Sequence, residues 1–376
     1  RISTSLLRRT LQVSAVSSFT CLPFSGSNAV PSFPTFVGRR RLDHTFNFSS
    51  SIVPFAATMK SISYADLSAQ NSSTSSAIIS ALASDPSFVS LSTHETTATL
   101  RRDAEDAAKL QVGIDVAVAR GVLPGPDDGF VPEPYAKIDV AGKTPGAVVD
   151  EILAAMGGVS AAAGKVVVIC GLSGTGKGTT CAKLMEALAP NVSSWSNGNV
   201  FRSVTMLACR WCDVHNGGVF DADKVLTKDN IASFVGMLEF GKFDGKFDIQ
   251  IRGLGVDALV SSIQNTDLKS PAVSSAIPTV AGATQGEVVL FAGAACVTMG
   301  DAGTAVLLEG REETVNYVRS PHRFVLMLSD ESLIGKRRAA QRIAAVALAN
   351  VGEEASQEDV DRAIKGALEG MVAEIQ

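Results

Sequence analysis

The chain has 376 residues, enough for two or three domains, and 46% of them are apolar while 19% are charged. This balance supports a sizeable buried core. The formal net charge of −5 argues against a general nucleic-acid-binding protein, which would carry a basic face. No uninterrupted apolar run reaches the roughly 18 residues of a membrane-spanning helix. The six cysteines form no regular framework, which suits a reducing compartment.

The N-terminal residues have the composition of an organelle transit peptide. They are rich in arginine, serine and threonine, and the first acidic residue of the chain is Asp43. We therefore predict a transit peptide or disordered leader over residues 1–59 and an organelle location, in a chloroplast rather than a mitochondrion. The alternative is that Met59 is the true start, in which case the protein would be cytoplasmic.

Residues 60–160 are predicted to form an accessory, mainly helical region. Apolar residues recur at three- and four-residue spacing over residues 74–84 and 97–120, which predicts two helices. The stretch 121–146 is crowded with proline and glycine and predicts a linker or an irregular crossing segment. A further helix follows, with Thr144 as its N-cap. The sequence does not reveal the task of this region.

A strand, a glycine loop and a helix follow one another from Lys165. The run KVVVIC is short, apolar and β-branched, as in a parallel strand that is buried on both faces. The runs TAVLLEGRE and HRFVLMLSD predict two more buried strands, and Asp244-Gly245 predicts a β-hairpin. This alternation predicts an α/β fold with a doubly wound parallel sheet, in which ligands bind at the carboxyl ends of the strands.

The loop GLSGTGKGT, residues 171–179, has the spacing of a phosphate-binding loop (P-loop) and is called the glycine loop below. Backbone N–H groups of such a loop converge on phosphate oxygens, and glycines permit the close approach. Lys177 would reach the β- and γ-phosphates of a nucleotide. In the usual pattern G-x-x-x-x-G-K-[ST] a hydroxyl residue follows the lysine, whereas here Gly178 follows and the hydroxyl comes at Thr179.

The pattern G-x-x-G-x-G-K-G-T resembles the loop of nucleoside monophosphate kinases, in which nucleotide phosphates and water hold the metal. The segment SWSNGNVFR resembles the S-G-x-x-[YF]-R segment of bacterial-type cytidylate kinases, and LLEGREETV resembles their [AI]-D-G-R-D-x-G-T segment. FDIQIRGLGVDALVSSIQ resembles the small antiparallel sheet in the acceptor-binding insertion of these kinases. The resemblance covers about residues 164–376, with the insertion at about residues 196–295, and implies ATP and Mg²⁺ as cofactors.

The resemblance also implies a role for each matching residue. The residues that would hold ATP are Gly171, Leu172, Ser173, Gly174, Thr175, Gly176, Lys177, Gly178, Thr179 and Arg338. Those that would bind the acceptor are Asn197, Gly198, Arg202, Arg311 and Glu312, and the catalytic residues would be Lys177, Arg202 and Arg311. Magnesium would be held through water near Glu309, with no direct protein ligand.

Four positions depart from the family pattern. Asn197 replaces a serine, Ala281 replaces an acceptor-binding arginine, and Glu309 and Glu312 replace two aspartates. These changes put the base preference and the acceptor affinity in question. CMP, or dCMP, is the acceptor that the resemblance implies. A kinase of another small acceptor on the same scaffold is an alternative.

In cytidylate kinases a helix ending in L-x-E-I is followed by E-R-D-x-x-D-x-x-R, whose arginines close over the transferring phosphoryl group. This sequence stops at MVAEIQ, where that motif would begin. We therefore expect a C-terminally truncated, monomeric kinase that binds nucleotide and catalyses poorly. A non-catalytic nucleotide-binding regulator, with residues 60–160 as its interaction module, is the remaining alternative.

Overall fold

The structure is a computed structural model that describes residues 61–375, and these residues lie within one compact unit. The leader prediction for residues 1–59 and the alternative start at Met59 lie outside the described residues. The strands are β1 (Ala136–Asp139), β2 (Val166–Gly171), β3 (Val192–Trp195), β4 (Leu238–Phe243), β5 (Lys246–Gly253), β6 (Val256–Leu259), β7 (Ala305–Glu309) and β8 (His322–Met327).

The helices of the same part of the chain are α1 (Tyr64–Ser68), α2 (Ser72–Leu82), α3 (Pro86–Ala119), α4 (Pro145–Met156), α5 (Lys177–Leu188), α6 (Asn197–His215), α7 (Ala222–Val225), α8 (Lys228–Gly236), α9 (Val260–Ile263), α10 (Pro271–Asp301), α11 (Glu312–Val315), α12 (Ser332–Ala349) and α13 (Gln357–Ile375). Short 3₁₀ turns lie at Pro126–Asp128, Val159–Ala162 and Asp267–Lys269.

Five of the strands form a parallel sheet in the order β1-β8-β2-β7-β3. Strand β2 lies in the middle, where Val168 is paired with Leu308 of β7 on one side and Arg323 of β8 on the other. The predicted α/β fold with a parallel sheet is confirmed, as are the strands expected in KVVVIC, TAVLLEGRE and HRFVLMLSD.

The two faces of the parallel sheet pack into two hydrophobic clusters. On one face, Val168 and Cys170 pack into a cluster with residues of α6 and α10. On the other face, Val167 and Ile169 pack with residues of α4 and α5. Because helices cover β2 on both faces, residues 166–170 are all buried, which accounts for their continuous apolar run.

Strands β4, β5 and β6 form a separate antiparallel sheet. Asp244 and Gly245 connect β4 to β5 with φ angles of 50° and 79°. Both angles are left-handed, as a two-residue type I′ turn requires. The predicted hairpin is therefore confirmed, and the small sheet lies within residues 196–295.

The region at residues 60–160 contributes directly to the sheet. Helix α3 is longer than predicted, since it begins at Pro86, with Asp85 as its N-cap, rather than at residue 97. Residues 121–146 were predicted to be a linker or an irregular crossing segment, but they contain strand β1, which pairs with β8 at the edge of the sheet. The sequence did not predict this strand, because its four residues have no clear pattern of their own and are stabilised by pairing with β8.

Helices α2 and α4 match two other predictions. Helix α2 spans Ser72–Leu82, close to the predicted residues 74–84. At the start of α4 the Thr144 hydroxyl accepts a hydrogen bond from the Ala147 N–H, as expected of an N-cap. Gly157 ends this helix with a left-handed φ of 89°.

Helix α10 is long and apolar, and by length and composition it is the one helix within residues 61–375 that could cross a membrane. Half of its most apolar 18-residue window is buried inside the protein. Val280, Val288 and Cys296 lie in the same hydrophobic cluster as residues of α6 and β2. These contacts are those of a helix in the core of a globular domain.

Helix α3 packs against α12 at unusually short range. A Cβ atom on Gly335 would lie 2.0 Å from the carbonyl oxygen of Ser92 and 2.6 Å from the backbone nitrogen of Thr96. One turn away, the buried Glu95 carboxylate pairs with the guanidinium of Arg342. Glycine at position 335 is therefore what allows the two helices to approach each other.

Replacing Gly335 with alanine should destabilise the protein by about 1–3 kcal/mol, because the added methyl group meets the backbone of α3. Gly366→Ala in helix α13 is the matched control, since a Cβ atom there meets nothing within 4 Å. Alanine at that position should stabilise the helix by up to about 1 kcal/mol. Chemical denaturation of both variants measures the two effects, and equal unfolding free energies would contradict the close packing.

Candidate active site at the carboxyl edge of the sheet

The glycine loop connects β2 to α5 at the carboxyl edge of the parallel sheet. Gly171, Gly174 and Gly176 have φ angles of 138°, 83° and 87°, a region that residues with side chains rarely adopt. A Cβ atom on Gly171 would also lie 2.3 Å from the carbonyl oxygen of Leu326 on β8. Helix α5 begins at Lys177, so its first N–H groups, which have no partner within the helix, lie at the loop.

The ammonium group of Lys177 lies against the loop. Its Nζ donates a hydrogen bond of 2.9 Å to the Leu172 carbonyl, to which the Thr175 hydroxyl also donates at 2.8 Å. Burial lowers the pKa of Lys177, while the neighbouring carboxylate of Glu309 acts in the opposite direction. The structure therefore holds a cation beside the glycine loop.

Strand β7 brings further charged residues to the same edge. Glu309 is the last residue of β7, and Arg311 follows two positions later. Both lie close enough to Lys177 to shift its pKa. Glu312 begins helix α11, with its Oε1 3.9 Å from the Sγ of Cys170. Burial, and then the charge of Glu312, raise the pKa of the Cys170 thiol to about 12, so this thiol is neutral.

Helix α6, which carries the other residues predicted to bind the acceptor, begins directly after β3. The Asn197 side-chain oxygen accepts a hydrogen bond of 2.8 Å from the indole nitrogen of Trp195. Gly198 is exposed in the first turn. Arg202 donates to the carbonyl of Leu268 at 3.1 Å, so this hydrogen bond goes to another part of the insertion and not to the glycine loop.

Arg337 contacts the glycine loop, whereas the sequence indicated Arg338. The Arg337 guanidinium donates a hydrogen bond of 3.2 Å to the carbonyl of Gly174, and burial lowers the pKa of this arginine. Arg338 is exposed. Neighbouring residues of a helix point about 100° apart, so a difference of one position decides which side chain meets the loop.

Most other residues of the glycine loop are open to solvent. Leu172 is 39% exposed, and Gly178 and Thr179 are exposed in the first turn of α5. Ser173 is different, because both its backbone N–H and its hydroxyl group donate hydrogen bonds to a side chain from a distant part of the sequence, Asp103 of helix α3.

Asp103 is the functional residue that the sequence interpretation missed. Its carboxylate accepts two hydrogen bonds of 2.6 Å from Ser173 and one of 2.7 Å from the guanidinium of Arg311. The Asp103 side chain is 1% exposed. Burial alone would raise the pKa of this carboxyl, but the hydrogen bonds from Arg311 and Ser173 outweigh burial and lower the pKa to about 2. One ionised carboxylate thus links α3, the glycine loop and the segment after β7.

The sequence around Asp103 contains a motif that could have identified this residue. Residues 102–109 are RDAEDAAK, which matches R-D-x-x-D-x-x-R with Lys109 in place of the last arginine. In the resembled family this motif follows L-x-E-I, whereas in this sequence it precedes the glycine loop.

The carboxylates at this edge fit a magnesium ion that is held mainly by a nucleotide. Magnesium prefers oxygen ligands, keeps several waters, and is usually held by one or two carboxylates together with phosphates. Glu309 is exposed at the end of β7, beside Lys177. Among residues 61–375 no group of three or more His, Cys, Asp or Glu side chains could hold a metal by itself.

Comparisons with known proteins do not identify the chain. Neither a scan against protein-family models nor a search of curated proteins finds a match. The functional assignment therefore depends on the geometry of this site and on the motif resemblance.

The Asp103 carboxylate should make folding pH-dependent in a defined direction. Its pKa is about 2 in the folded protein, against 3.8 for the free side chain, so the ionised group stabilises the fold above about pH 4. This contribution, about 2 kcal/mol, is lost as the pH falls from 4 towards 2. The difference in unfolding free energy between the wild type and Asp103→Asn should therefore shrink over this range.

Chemical denaturation at a series of pH values between 6 and 3 measures that difference. Ser90→Ala, at an exposed position of the same helix, is a control that removes no ionisable group. A difference between wild type and Asp103→Asn that stays constant down to pH 3 would contradict the buried ion pair.

Proposed function

We propose that the protein is an ATP-dependent nucleoside monophosphate kinase that transfers the γ-phosphoryl group of ATP to CMP. The observation that supports this most is the convergence of Lys177, Glu309 and Arg311 beside the glycine loop. Enzymatic phosphoryl transfer depends almost entirely on positioning and charge neutralisation. A lysine, an arginine and a loop of backbone donors are suited to both tasks.

In this proposal the N–H groups of the loop and Lys177 bind the donor phosphates. Arg311 stabilises negative charge on the transferring group, and the carboxylate of Asp103, 2.7 Å away, keeps its guanidinium in place. Arg337 adds a third cation next to the loop. Arg202 binds the acceptor phosphate when the insertion closes over the site, and closure excludes water that would otherwise hydrolyse ATP.

Magnesium, when bound, would neutralise negative charge on the phosphates of the nucleotide. Glu309 is the residue that would hold its water. Glu309 and Glu312 each have one methylene more than the aspartates they replace in the resembled family, which lengthens the reach of each carboxylate. The choice of CMP as the acceptor rests on the resemblance of residues 164–376.

A kinase of another small acceptor is the second candidate function. The Asn197 side-chain oxygen is occupied by the indole N–H of Trp195, so that oxygen already has a partner. Ala281 provides no cation at a position where the resembled family has an arginine. Both observations favour an acceptor-binding surface that differs from that of the family.

Lys177→Ala should reduce kcat/KM for phosphoryl transfer by about 100-fold or more, because it removes the main cation at the loop. Lys183→Ala, which changes an exposed lysine on the same helix, is the matched control and should leave the rate unchanged. A coupled assay of ADP release in the presence of CMP measures both. Equal rates for the two variants would refute the role of the loop.

The acceptor is tested with the full-length chain and a panel of CMP, dCMP, UMP, AMP and small hydroxylated acceptors. The highest kcat/KM should be found for CMP. A higher value for another acceptor would support the second candidate instead. Binding of ATP with no turnover of any acceptor would refute the kinase proposal and favour a nucleotide-binding regulator.

A further inference from the structure

Helix α3 crosses the carboxyl edge of the sheet and contacts other helices closely on both sides of Asp103. Before it, the buried carboxylate of Glu95 pairs with Arg342 of α12. After it, Gly113 lies so close to α10 that a Cβ atom would meet the Cγ of Gln285 at 2.5 Å. At a helical rise of about 1.5 Å per residue, these two contacts lie about 12 and 15 Å from Asp103. The middle of α3 is thus held over the site.

Strand β1 and helix α4 complete the adjacent part of the core. Strand β1 pairs with β8 over four residues, and the hydroxyl of Tyr135, directly before it, donates to Asn316 at 2.8 Å. Ile152 of α4 is fully buried in the cluster that contains Ile169 of β2. Without residues 136–156, the edge of β8 would have no paired strand and part of the apolar cluster around Ile169 would be open to water.

Residues 60–160 do not have a hydrophobic core of their own. Phe88 and Leu91 of α3 share a cluster with Ile343 of α12 and with residues of α13. Ile114, near the other end of α3, shares a second cluster with Val289 of α10. A separable interaction module would bury its apolar residues against one another, so this packing argues against such a module.

The last turn of α13 lies beside α3. Arg342 forms ion pairs with Glu95 of α3 and, at 3.6 Å, with Glu374 at the end of α13. The Arg342 guanidinium thus links the end of α13, which has the sequence MVAEI, to Glu95, eight positions before Asp103. In the resembled family E-R-D-x-x-D-x-x-R directly follows L-x-E-I. Residues 102–109 match this motif from its first arginine onward, with Lys109 in place of the last arginine. Two segments that are consecutive in the family are neighbours in space in this protein.

We propose that the chain has a circularly permuted order relative to the cytidylate kinases it resembles. In this order residues 86–156, which in those kinases would follow the C-terminal helix, come before the glycine loop and complete the phosphate site. The permuted order is argued from packing, whereas the role of the segment in catalysis rests on the proposed function. Asp103 is the positioning residue of this segment, because it holds Arg311 and the glycine loop in one arrangement.

The experiment is a chain in which the two parts exchange places. Residues 158–376 come first, then a Gly/Ser linker and residues 61–157, with residues 1–60 kept at the front of both versions. Gln357, at the start of α13, donates to the carbonyl of Ile62 at 2.9 Å, so the linker must span this helix of 19 residues, about 28 Å. Linkers of about 20 and 30 residues reach on average about 25–30 Å.

At least one reordered chain should unfold cooperatively with a Tm within a few degrees of the natural chain, and should bind ATP with a Kd within about threefold. Failure of both reordered chains to fold, while the natural chain folds, would overturn the proposal. A reordered chain as stable as the natural chain would uphold the permuted order. If neither chain then bound ATP or turned over an acceptor, the proposed function would be refuted. These two failures are therefore distinguishable.

Asp103→Asn, introduced into both orders, tests the contact itself. It should lower the Tm by the same few degrees in both chains, since Asp103 contacts Ser173 and Arg311 in each. A loss of stability in the natural order alone would overturn the proposal. In the natural order the KM for CMP should rise about tenfold, the effect of losing one charge-assisted hydrogen bond.

The rise in KM separates positioning from a structural effect, because a smaller folded fraction lowers kcat without changing KM. Asp115→Asn, at an exposed position further along α3, should leave both constants unchanged. Unchanged KM in Asp103→Asn would remove Asp103 from the positioning role.

Discussion

The buried carboxylate of Asp103 is the constraint on which the arrangement of the site depends. A charge that is 1% exposed is tolerated only where hydrogen bonds and an opposite charge replace its water, and here Ser173 and Arg311 do so. Asp103 and these two partners belong to three segments that are far apart in the sequence. The hydrogen bonds of this one carboxylate can form only if α3, the glycine loop and the end of β7 hold fixed positions relative to one another.

The packing of α3 fixes these relative positions. Near one end the helix meets α12 at Gly335, and near the other it meets α10 at Gly113, both through contacts that a larger residue would prevent. Close packing of this kind leaves little freedom for a rigid helix between the two points. Asp103, in its middle, is consequently buried at the site and not presented to solvent.

Local features were predictable wherever the physical cause lies within a few residues. The strand at KVVVIC, the loop glycines and the N-cap at Thr144 follow from β-branched packing, left-handed backbone angles and a hydroxyl acceptor, and the structure has all three. Strand β1 was not predictable in this way, because four residues among prolines and glycines become a strand only through pairing with β8.

By itself, the sequence determined the glycine loop, the alternation of strands and helices, and the presence of Lys177 and Arg311 after two parallel strands. These depend on residue type and spacing. Only the tertiary structure decided that Arg337 rather than Arg338 meets the loop, and that Asp103 joins the site from 70 residues earlier in the chain. The physical reason is that a helix with mixed polar and apolar faces does not indicate which neighbour its polar side chains will meet. That choice depends on how α3 packs against α10 and α12.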